Sequence, residues 1–282
     1  MTNVLVGSEA MKHGGMSEYE LRRRYRTLLP GVYFPKRLDP TLRDRTVAAW
    51  MWSRRRAVVA GVAASALHGS RWVDASTPIE LISVKARPHP GVVVRTESVP
   101  PDETTRMAGL PVTTVARTAF DLGRHLPRGE ALERLDALMR ASRFSVEAVD
   151  VLAARHRGAR GVRQLRALLP LVDAGAASPR ETWLRLLLID AGFPRPVTQI
   201  PVVQGWRPLA MLDMGWEEYL VAAEYDGDHH RSDRRQYVKD LRRLRMLEKM
   251  GWLVVRVVAE DAPSDIIARV GEALHQRGLR RK

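Results

Sequence analysis

Three acidic residues near the C-terminus have the spacing of a divalent-metal site. Asp213 lies in the apolar segment PLAMLDMGW, and Glu224 and Asp226 lie in the next segment, LVAAEYDG. A turn centred between residues 218 and 219 would place Asp213 opposite Glu224 on one face of an antiparallel pair, with Asp226 on the same side two residues further along. Carboxylates gathered in this way repel one another unless a cation is present, and hard oxygen ligands suit Mg²⁺ or Mn²⁺. We therefore expect a Mg²⁺ or Mn²⁺ site; the alternative is that these residues lie at strand ends and face water.

Three further residues are candidate catalytic groups at the same site. Glu181 belongs to a capping box with Ser178, which explains it structurally, yet the helix it begins would also pack on the strands and bring its carboxylate toward the metal. His229 and His230 follow the third acid in a loop. A neutral imidazole there would accept a proton from water or hydrogen-bond a phosphate, although loop histidines are often simply solvated.

A basic helix follows the histidines. Asp240 and Arg243 lie one helical turn apart on it. In one interpretation the two residues form a simple ion pair on the helix surface. In the other, Asp240 orients a catalytic group and Arg243 contacts phosphate. Arginine is the better bidentate phosphate ligand. The helix residues that we expect to contact DNA are Arg234, Arg235, Arg242 and Arg243.

The elements that position these residues predict a protein of the α/β (α+β) class. Residues 178–282 show the order helix, three strands, long helix, strand, helix, which is typical of a layered α/β unit. Residues 41–172 predict an α+β domain, with helices at TLRDRTVAAWMW, AVVAGVAASALHG and LPVTTVARTAFDLGRHL and strands at IELISV and GVVVRTESV. The turn-rich residues 173–179 separate the two.

Residues 1–40 predict a third, DNA-contacting module. Two short helices precede a turn at Pro30–Gly31 and a short strand, which is the pattern of a minimal winged helix-turn-helix. A capping box from Ser17 to Glu20 begins the second helix. The candidate DNA ligands of this module are Arg22, Arg23, Arg24 and Arg26. A solvated helix face would carry the same run of charge.

The overall charge favours a nucleic-acid partner. The 282 residues include 46 Lys and Arg against 32 Asp and Glu, for a net charge of +14. Such an excess is the electrostatic signature of DNA or RNA binding, although GC-rich codon usage would also enrich arginine. The chain has no cysteine, which excludes disulfides and thiolate metal sites. No apolar run is long enough to cross a membrane, so we expect a cytoplasmic protein whose oligomeric state stays open.

Residues 212–257 resemble the very-short-patch-repair-endonuclease-like proteins of the PD-(D/E)xK restriction-endonuclease-like superfamily. The matching residues are Asp213, Glu224, Asp226, Gly227, His230, Asp240, Arg243, Gly251, Trp252 and Arg256, with Glu181 on the preceding helix. The resemblance implies a mixed sheet flanked by helices and metal-dependent hydrolysis of DNA. Asp226 stands where the superfamily usually has lysine, so the group that activates water is open, with His230 and His229 as the candidates.

The N-terminal part is similar to AbiEi-type antitoxin proteins in the segments RTLLPGVYFP, AASALHG and LPVTTVARTAFDL. That similarity implies a winged helix-turn-helix followed by an α+β domain. The predicted function is therefore a metal-dependent DNA endonuclease linked to repair, defence or a toxin–antitoxin context. The alternative is a non-catalytic DNA-binding regulator or antitoxin that keeps a nuclease-like scaffold. The complete set of acidic residues favours the endonuclease.

Overall fold

The computed structural model describes residues 3–13, 15–227 and 234–279. The chain divides into two compact units, residues 1–172 and 173–282. Both units combine helices with sheets, which confirms the predicted α/β (α+β) class. Among the helices described, none has both the length and the apolar composition needed to cross a membrane.

The first unit begins with two short helices and a three-stranded sheet. Their bounds are β1 Leu5–Val6, α1 Gly7–His13, α2 Glu18–Arg24, β2 Tyr25–Leu29 and β3 Val32–Pro35. The sheet has the order β1-β3-β2. Gly31 supplies the positive φ of 77° that the β2–β3 turn requires. Ser17 and Glu20 form the predicted capping box at the start of α2.

A five-stranded mixed sheet and further helices complete the first unit. Their bounds are α3 Leu42–Trp52, β4 Val58–Ala60, α4 Gly61–Leu67, β5 Ile79–Ile82, β6 Val92–Arg95, β7 Thr104–Met107, β8 Leu110–Thr113, α5 Val115–His125, α6 Arg128–Ser142, α7 Val146–Arg155 and α8 Val162–Leu168. Short 3₁₀ turns lie at Pro101–Glu103 and Leu169–Leu171. The strand order is β6-β5-β4-β8-β7.

Two predicted helices of this unit were wrong over their first residues. Val58–Ala60 and Leu110–Thr113 are strands, and the helices begin only at Gly61 and Val115. Both strands lie inside the sheet, where Val59 pairs with Val112. A short apolar run that is buried on both faces has no period of its own, so its sequence does not separate it from a buried helix.

The N-terminal sheet shares its hydrophobic core with the residues that follow it. Leu29, Val32 and Phe34 belong to one buried cluster with Ala48 of α3 and Leu81 of the large sheet. The predicted division into residues 1–40, 41–172 and 178–282 stays a prediction.

The second unit is a four-stranded mixed sheet with helices on both faces. Its elements are α9 Pro179–Asp190, β9 Val197–Gln204, β10 Arg207–Trp216, β11 Val221–Tyr225, α10 Arg234–Lys249, β12 Leu253–Val257 and α11 Pro263–Gln276, with a 3₁₀ turn at Glu217–Tyr219. The strand order is β12-β11-β10-β9, and β11 and β12 are parallel. Ala223 packs in the core of α9 and α11, whereas its neighbour Ala222 packs with Leu247 of α10. Successive strand residues point to opposite faces, so α10 covers one face and α9 and α11 cover the other.

Candidate functional site

The β10–β11 pairing has the register that the sequence predicts. The paired residues are Met214 with Ala223, Gly215 with Ala222 and Trp216 with Val221. Asp213 and Glu224 are the next opposite residues in this register. The backbone ladder ends before them, and the Asp213 carboxylate instead accepts a hydrogen bond of 3.0 Å from the backbone N–H of Tyr225.

A cleft of about 300 Å³ opens where these strands part. Its lining residues are Met211, Asp213, Glu224, Tyr225, Asp226, Asp240, Arg243, Leu244 and Arg256. The cleft is thus lined by the three predicted metal ligands, the predicted orienting residue Asp240 and one predicted DNA ligand, Arg243, but the carboxylate oxygens of Asp213, Glu224 and Asp226 do not all lie within 4.8 Å of one another. Four different elements contribute to it: β10, β11, α10 and β12.

Two arginines already neutralise part of the acidic cluster. Arg243 donates to both carboxylate oxygens of Glu224, through Nη1 at 2.9 Å and also through Nη2. Its Nη2 also donates to the backbone carbonyl of Met211 at 2.8 Å. Arg256 donates to the Asp226 carboxylate. Arginines of the chain therefore supply part of the positive charge that these carboxylates were expected to need. The Arg243 guanidinium binds Glu224 and does not pair only with its helix neighbour Asp240.

Asp213 forms no ion pair with an arginine among the described residues. Among the described residues its carboxylate accepts one hydrogen bond, from Tyr225. Burial, followed by the negative charges of Glu181 and Glu224, raises the pKa of Asp213 to about 7. A carboxylate in this position gains from any cation that reaches it, because a nearby positive charge favours the ionised form.

Glu181 has the structural role that the capping box predicts. Its carboxylate accepts hydrogen bonds from the Ser178 hydroxyl and from the backbone N–H of Ala177, each at 2.9 Å. The side chain is buried. It nevertheless acts on the cleft, because its charge contributes to the raised pKa of Asp213. A catalytic role for Glu181 stays a prediction.

Gln199 is a site residue that sequence reasoning missed. It lies in the middle of β9 between the pairs Ile200–Leu212 and Thr198–Met214, which puts it opposite Asp213. Its φ is +52°, a left-handed conformation that is uncommon for residues other than glycine and costs about 1–3 kcal/mol. The side-chain amide donates to Glu181 at 3.3 Å. A glutamine in a strand-like segment carries no signal of such a backbone, so the sequence alone could not have identified it.

Five further residues of the second unit were predicted to act on DNA. His229 and His230 lie outside the described residues. Arg234 and Arg235 lie in the first turn of α10, and Arg242 is exposed on the same helix. Their predicted contacts with DNA stay predictions.

The arginines of α2 differ in their pairing. Arg22 forms an ion pair of 2.6 Å with Glu18, and both side chains are largely exposed. Arg26, just after the helix, donates to the carbonyl of Leu38 and to Asp39. Arg23 and Arg24 are exposed and form no ion pair among the described residues. They are therefore available to an external phosphate.

A second charged cluster, which the sequence did not indicate, lies in the first unit. It consists of Glu97, Glu103, Arg117, Asp121 and Arg124, which we call the buried charge network. Arg117 is only 1% exposed and donates to Asp121 at 3.1 Å, to Glu103 at 2.5 Å and to Glu97 at 3.0 Å. Arg124 donates to Glu97 and Asp121. Part of the network borders a cavity of about 1030 Å³.

The buried charge network is compensated internally. The His125 ring, 3.3 Å from Glu97, together with Arg124 and Arg117, lowers the pKa of Glu97 to about 2. Single ligand atoms of Glu97, Asp121 and His125 lie within 4.8 Å of one another, which is close enough for a metal ion. Both carboxylates already bind two guanidinium groups, whose charge would repel a cation. We therefore interpret this network as structural.

Comparison with known proteins identifies the family. Residues 43–171 match the family described as AbiEi antitoxin C-terminal domain. Uncharacterized protein Rv2248 of Mycobacterium tuberculosis strain ATCC 25618 / H37Rv is 30% identical over 247 residues, which cover 86% of this chain and 90% of that protein. The chain belongs to the same family. Uncharacterized protein MT2308 of Mycobacterium tuberculosis strain CDC 1551 / Oshkosh matches with the same identity and coverage.

The family match confirms the AbiEi resemblance over residues 43–171, and the winged helix-turn-helix of residues 1–40 stays a prediction. The chain carries an AbiEi antitoxin C-terminal domain, which contains the buried charge network. The match ends before the second unit begins, so the nuclease resemblance of residues 178–282 stays a prediction. No solved structure matches the chain.

Proposed function

We propose that the second unit is a divalent-metal-dependent DNA endonuclease that hydrolyses phosphodiester bonds. One observation carries the proposal: Asp213, Glu224 and Asp226 converge on a single cleft, and the pKa of Asp213 is raised to about 7. Perturbed carboxylates in a cleft are typical of functional sites. The resemblance to very-short-patch-repair-endonuclease-like proteins supports the same activity.

The donor set fits Mg²⁺ or Mn²⁺, since it consists of carboxylate oxygens. Asp213 and Glu224 would hold the ion, and Asp226 and Glu181 would assist directly or through water. When bound, such an ion polarises the scissile phosphate, lowers the pKa of a water molecule and stabilises the developing charge.

The chain's own residues hold this donor set in place. The backbone N–H of Tyr225 orients Asp213, and the Ser178 hydroxyl and the backbone N–H of Ala177 fix Glu181. His229 or His230 would transfer the proton, and Asp240 would orient a neighbouring group. The arginines Arg234, Arg235, Arg242 and Arg243 would contact the DNA backbone, a sequence-independent contribution to affinity.

The first unit would deliver the enzyme to DNA in the cytoplasm. In α2, Arg23 and Arg24 project from an exposed helix end. With Arg22 and Arg26 they would bind phosphates of the duplex, in keeping with the net charge of +14. This binding should weaken steeply as the salt concentration rises.

A cleavage assay tests the proposal. Purified protein should cut duplex DNA with Mg²⁺ or Mn²⁺ and not with EDTA. Asp213→Ala and Glu224→Ala should each lose at least about a hundredfold in rate, the scale on which removing a transition-state stabiliser acts. Glu218→Ala is the matched control, because Glu218 is exposed in the turn between the same two strands. Undiminished cleavage by the Asp213 and Glu224 variants would remove these residues from the mechanism.

A second candidate function is a non-catalytic DNA-binding regulator or antitoxin. The match of residues 43–171 to the AbiEi antitoxin C-terminal domain favours it. It predicts salt-sensitive DNA binding with no cleavage in any divalent metal. Both functions predict that DNA binding is lost in the double variant Arg23→Ala and Arg24→Ala and kept in Asp213→Ala, so the absence of cleavage by the wild type in every divalent metal is what separates the regulator from the endonuclease.

A further inference from the structure

The ion pair between Arg243 and Glu224 occupies the proposed metal site. Both oxygens of Glu224 accept hydrogen bonds from the guanidinium, and Glu224 is only 8% exposed. A divalent ion bound by Asp213 and Glu224 would need at least one of these oxygens. A guanidinium and a metal ion both carry positive charge, so they cannot share the carboxylate without strong repulsion.

The Arg243 guanidinium is placed so that it can be displaced from the Glu224 carboxylate. Its side chain is 32% exposed, and its other hydrogen bond is to the Met211 carbonyl at the exposed rim of the cleft. Arg256, which pairs with Asp226, lies on the neighbouring strand and would remain. A guanidinium released from Glu224 would stay beside the cleft, where a DNA phosphate offers it two oxygens of the same geometry.

We propose that Arg243 regulates metal loading by competing with the divalent ion for Glu224, and that a DNA phosphate promotes loading by accepting the displaced arginine. This inference rests on the proposed nuclease function and concerns how that same site is controlled. Metal and DNA then bind with positive coupling, and by linkage each raises the affinity for the other by the same factor. The ion pair lowers the affinity of the site for metal until DNA is present.

Manganese binding to the full chain, measured by electron paramagnetic resonance, tests the inference without relying on cleavage. Arg243→Gln removes the competing charge and should lower the Mn²⁺ Kd by about tenfold in the absence of DNA. Arg243→Lys keeps the positive charge but loses the two-pronged hydrogen bonding of the guanidinium. Its Mn²⁺ Kd should lie between those of the wild type and Arg243→Gln. Arg245→Gln is the matched control, because Arg245 is exposed on the same helix and has no ion pair among the described residues. It should bind Mn²⁺ as the wild type does.

The coupling provides the second readout. A duplex with phosphorothioate linkages, which resists cleavage, should lower the wild-type Mn²⁺ Kd by about fivefold or more, and that of Arg243→Gln by no more than about twofold. If Arg243→Gln fails to fold, the Nε–H resonance of Arg243 in the wild type, assigned with Arg243→Lys, takes its place. It should shift when Mg²⁺ is added.

The possible failures are distinguishable. If the wild type binds Mn²⁺, Asp213→Ala does not, and Arg243→Gln binds no more tightly than the wild type, the competition is wrong and the nuclease proposal stands. If the chemical shift of the Arg243 Nε–H resonance does not change at saturating Mg²⁺, the competition is likewise wrong and the nuclease proposal stands. If the wild type and every variant fail to bind Mn²⁺ with or without DNA, both proposals are wrong.

Discussion

The protein has two clusters of buried or half-buried carboxylates, the buried charge network of the first unit and the cleft of the second unit. The two clusters differ in how their negative charge is compensated. In the buried charge network of the first unit, each of the three carboxylates binds at least one guanidinium; the pKa of Glu97 falls to about 2, whereas burial raises the pKa of Asp121. In the cleft of the second unit, Asp213 has no such partner among the described residues, and its pKa rises to about 7. A paired buried network is costly to break, because removing one partner leaves the others uncompensated. A buried carboxylate without a partner costs stability, and such groups are more frequent at functional sites.

The difference also separates two superficially similar candidates for a metal site. Glu97, Asp121 and His125 are close enough together to ligate an ion, but Arg117 and Arg124 already occupy their carboxylates. Asp213 and Glu181 have no arginine in hydrogen-bond contact among the described residues, and one arginine occupies Glu224. The arginines around Glu97 and Asp121 therefore argue against a cation there despite the close approach of the ligand atoms, and the cation site of the second unit stays a proposal.

Replacing Arg117 should have the largest effect, a loss in the free energy of unfolding of the first unit. Arg117→Met leaves three buried or half-buried carboxylates without their shared partner, so the first unit should lose about 3–5 kcal/mol in free energy of unfolding. Urea unfolding followed by circular dichroism measures it. Arg166→Met, at an exposed position of α8, is the control and should change stability by less than about 0.5 kcal/mol. Equal stability of the two variants would mean that the network is not structural.

The stability of the second unit should decrease as the pH rises, because of Asp213. Asp213 has a pKa of about 7 when folded and about 3.9 when unfolded, so the folded state binds the proton more tightly. The stability that protonation contributes is complete below about pH 4 and is lost as the pH rises to 7, by roughly 2–4 kcal/mol. Asp213→Asn should remove this slope and be more stable than the wild type at pH 8. A variant with an unchanged slope would show that Asp213 is not the titrating group.

The first unit should depend on pH with the opposite sign. Glu97 has a pKa of about 2 when folded and about 4.3 when unfolded, so its contribution is complete above about pH 4.5 and is lost as the pH falls toward 2. Glu97→Gln should cost roughly 1–3 kcal/mol at pH 7 and almost nothing near pH 2. Thermal unfolding at the two pH values measures the difference. A cost that persists at low pH would assign the effect to packing and not to charge.

The smallest effect is expected at Gln199. Glycine relieves a positive φ, so Gln199→Gly should gain up to about 1 kcal/mol in stability, less the lost hydrogen bond to Glu181. If the strained backbone serves the site, the more stable variant should cleave DNA more slowly than the wild type. A variant that is less stable than the wild type by more than about 1.5 kcal/mol, the most that the lost hydrogen bond explains, would show that the backbone is not strained at this residue.

The sequence predicted the second unit better than the first. The turn centred near Glu218 was enough to place Asp213 opposite Glu224, because the turn position fixes the register of two antiparallel strands. In the first unit, Val59 and Val112 lie in strands buried on both faces, where periodicity carries no information.

The charge partners could not be predicted at all. Glu97 and Arg117 are twenty residues apart, and Glu224 and Arg243 are nineteen apart. Their pairing depends on how the helices pack on the sheets. An arginine that binds a carboxylate and an arginine that binds a phosphate cannot be told apart in a sequence, which is why Arg243 was interpreted as a DNA ligand or as a surface partner of Asp240, and its pairing with Glu224 was missed.

Manganese titration of three proteins tests the central claim most directly. The wild type and Glu97→Gln should each bind one Mn²⁺ ion per chain in the presence of the phosphorothioate duplex, and Asp213→Asn should bind none. That result would place the cation site in the unbalanced cleft of the second unit. Retained binding by Asp213→Asn, or loss of binding in Glu97→Gln alone, would contradict it.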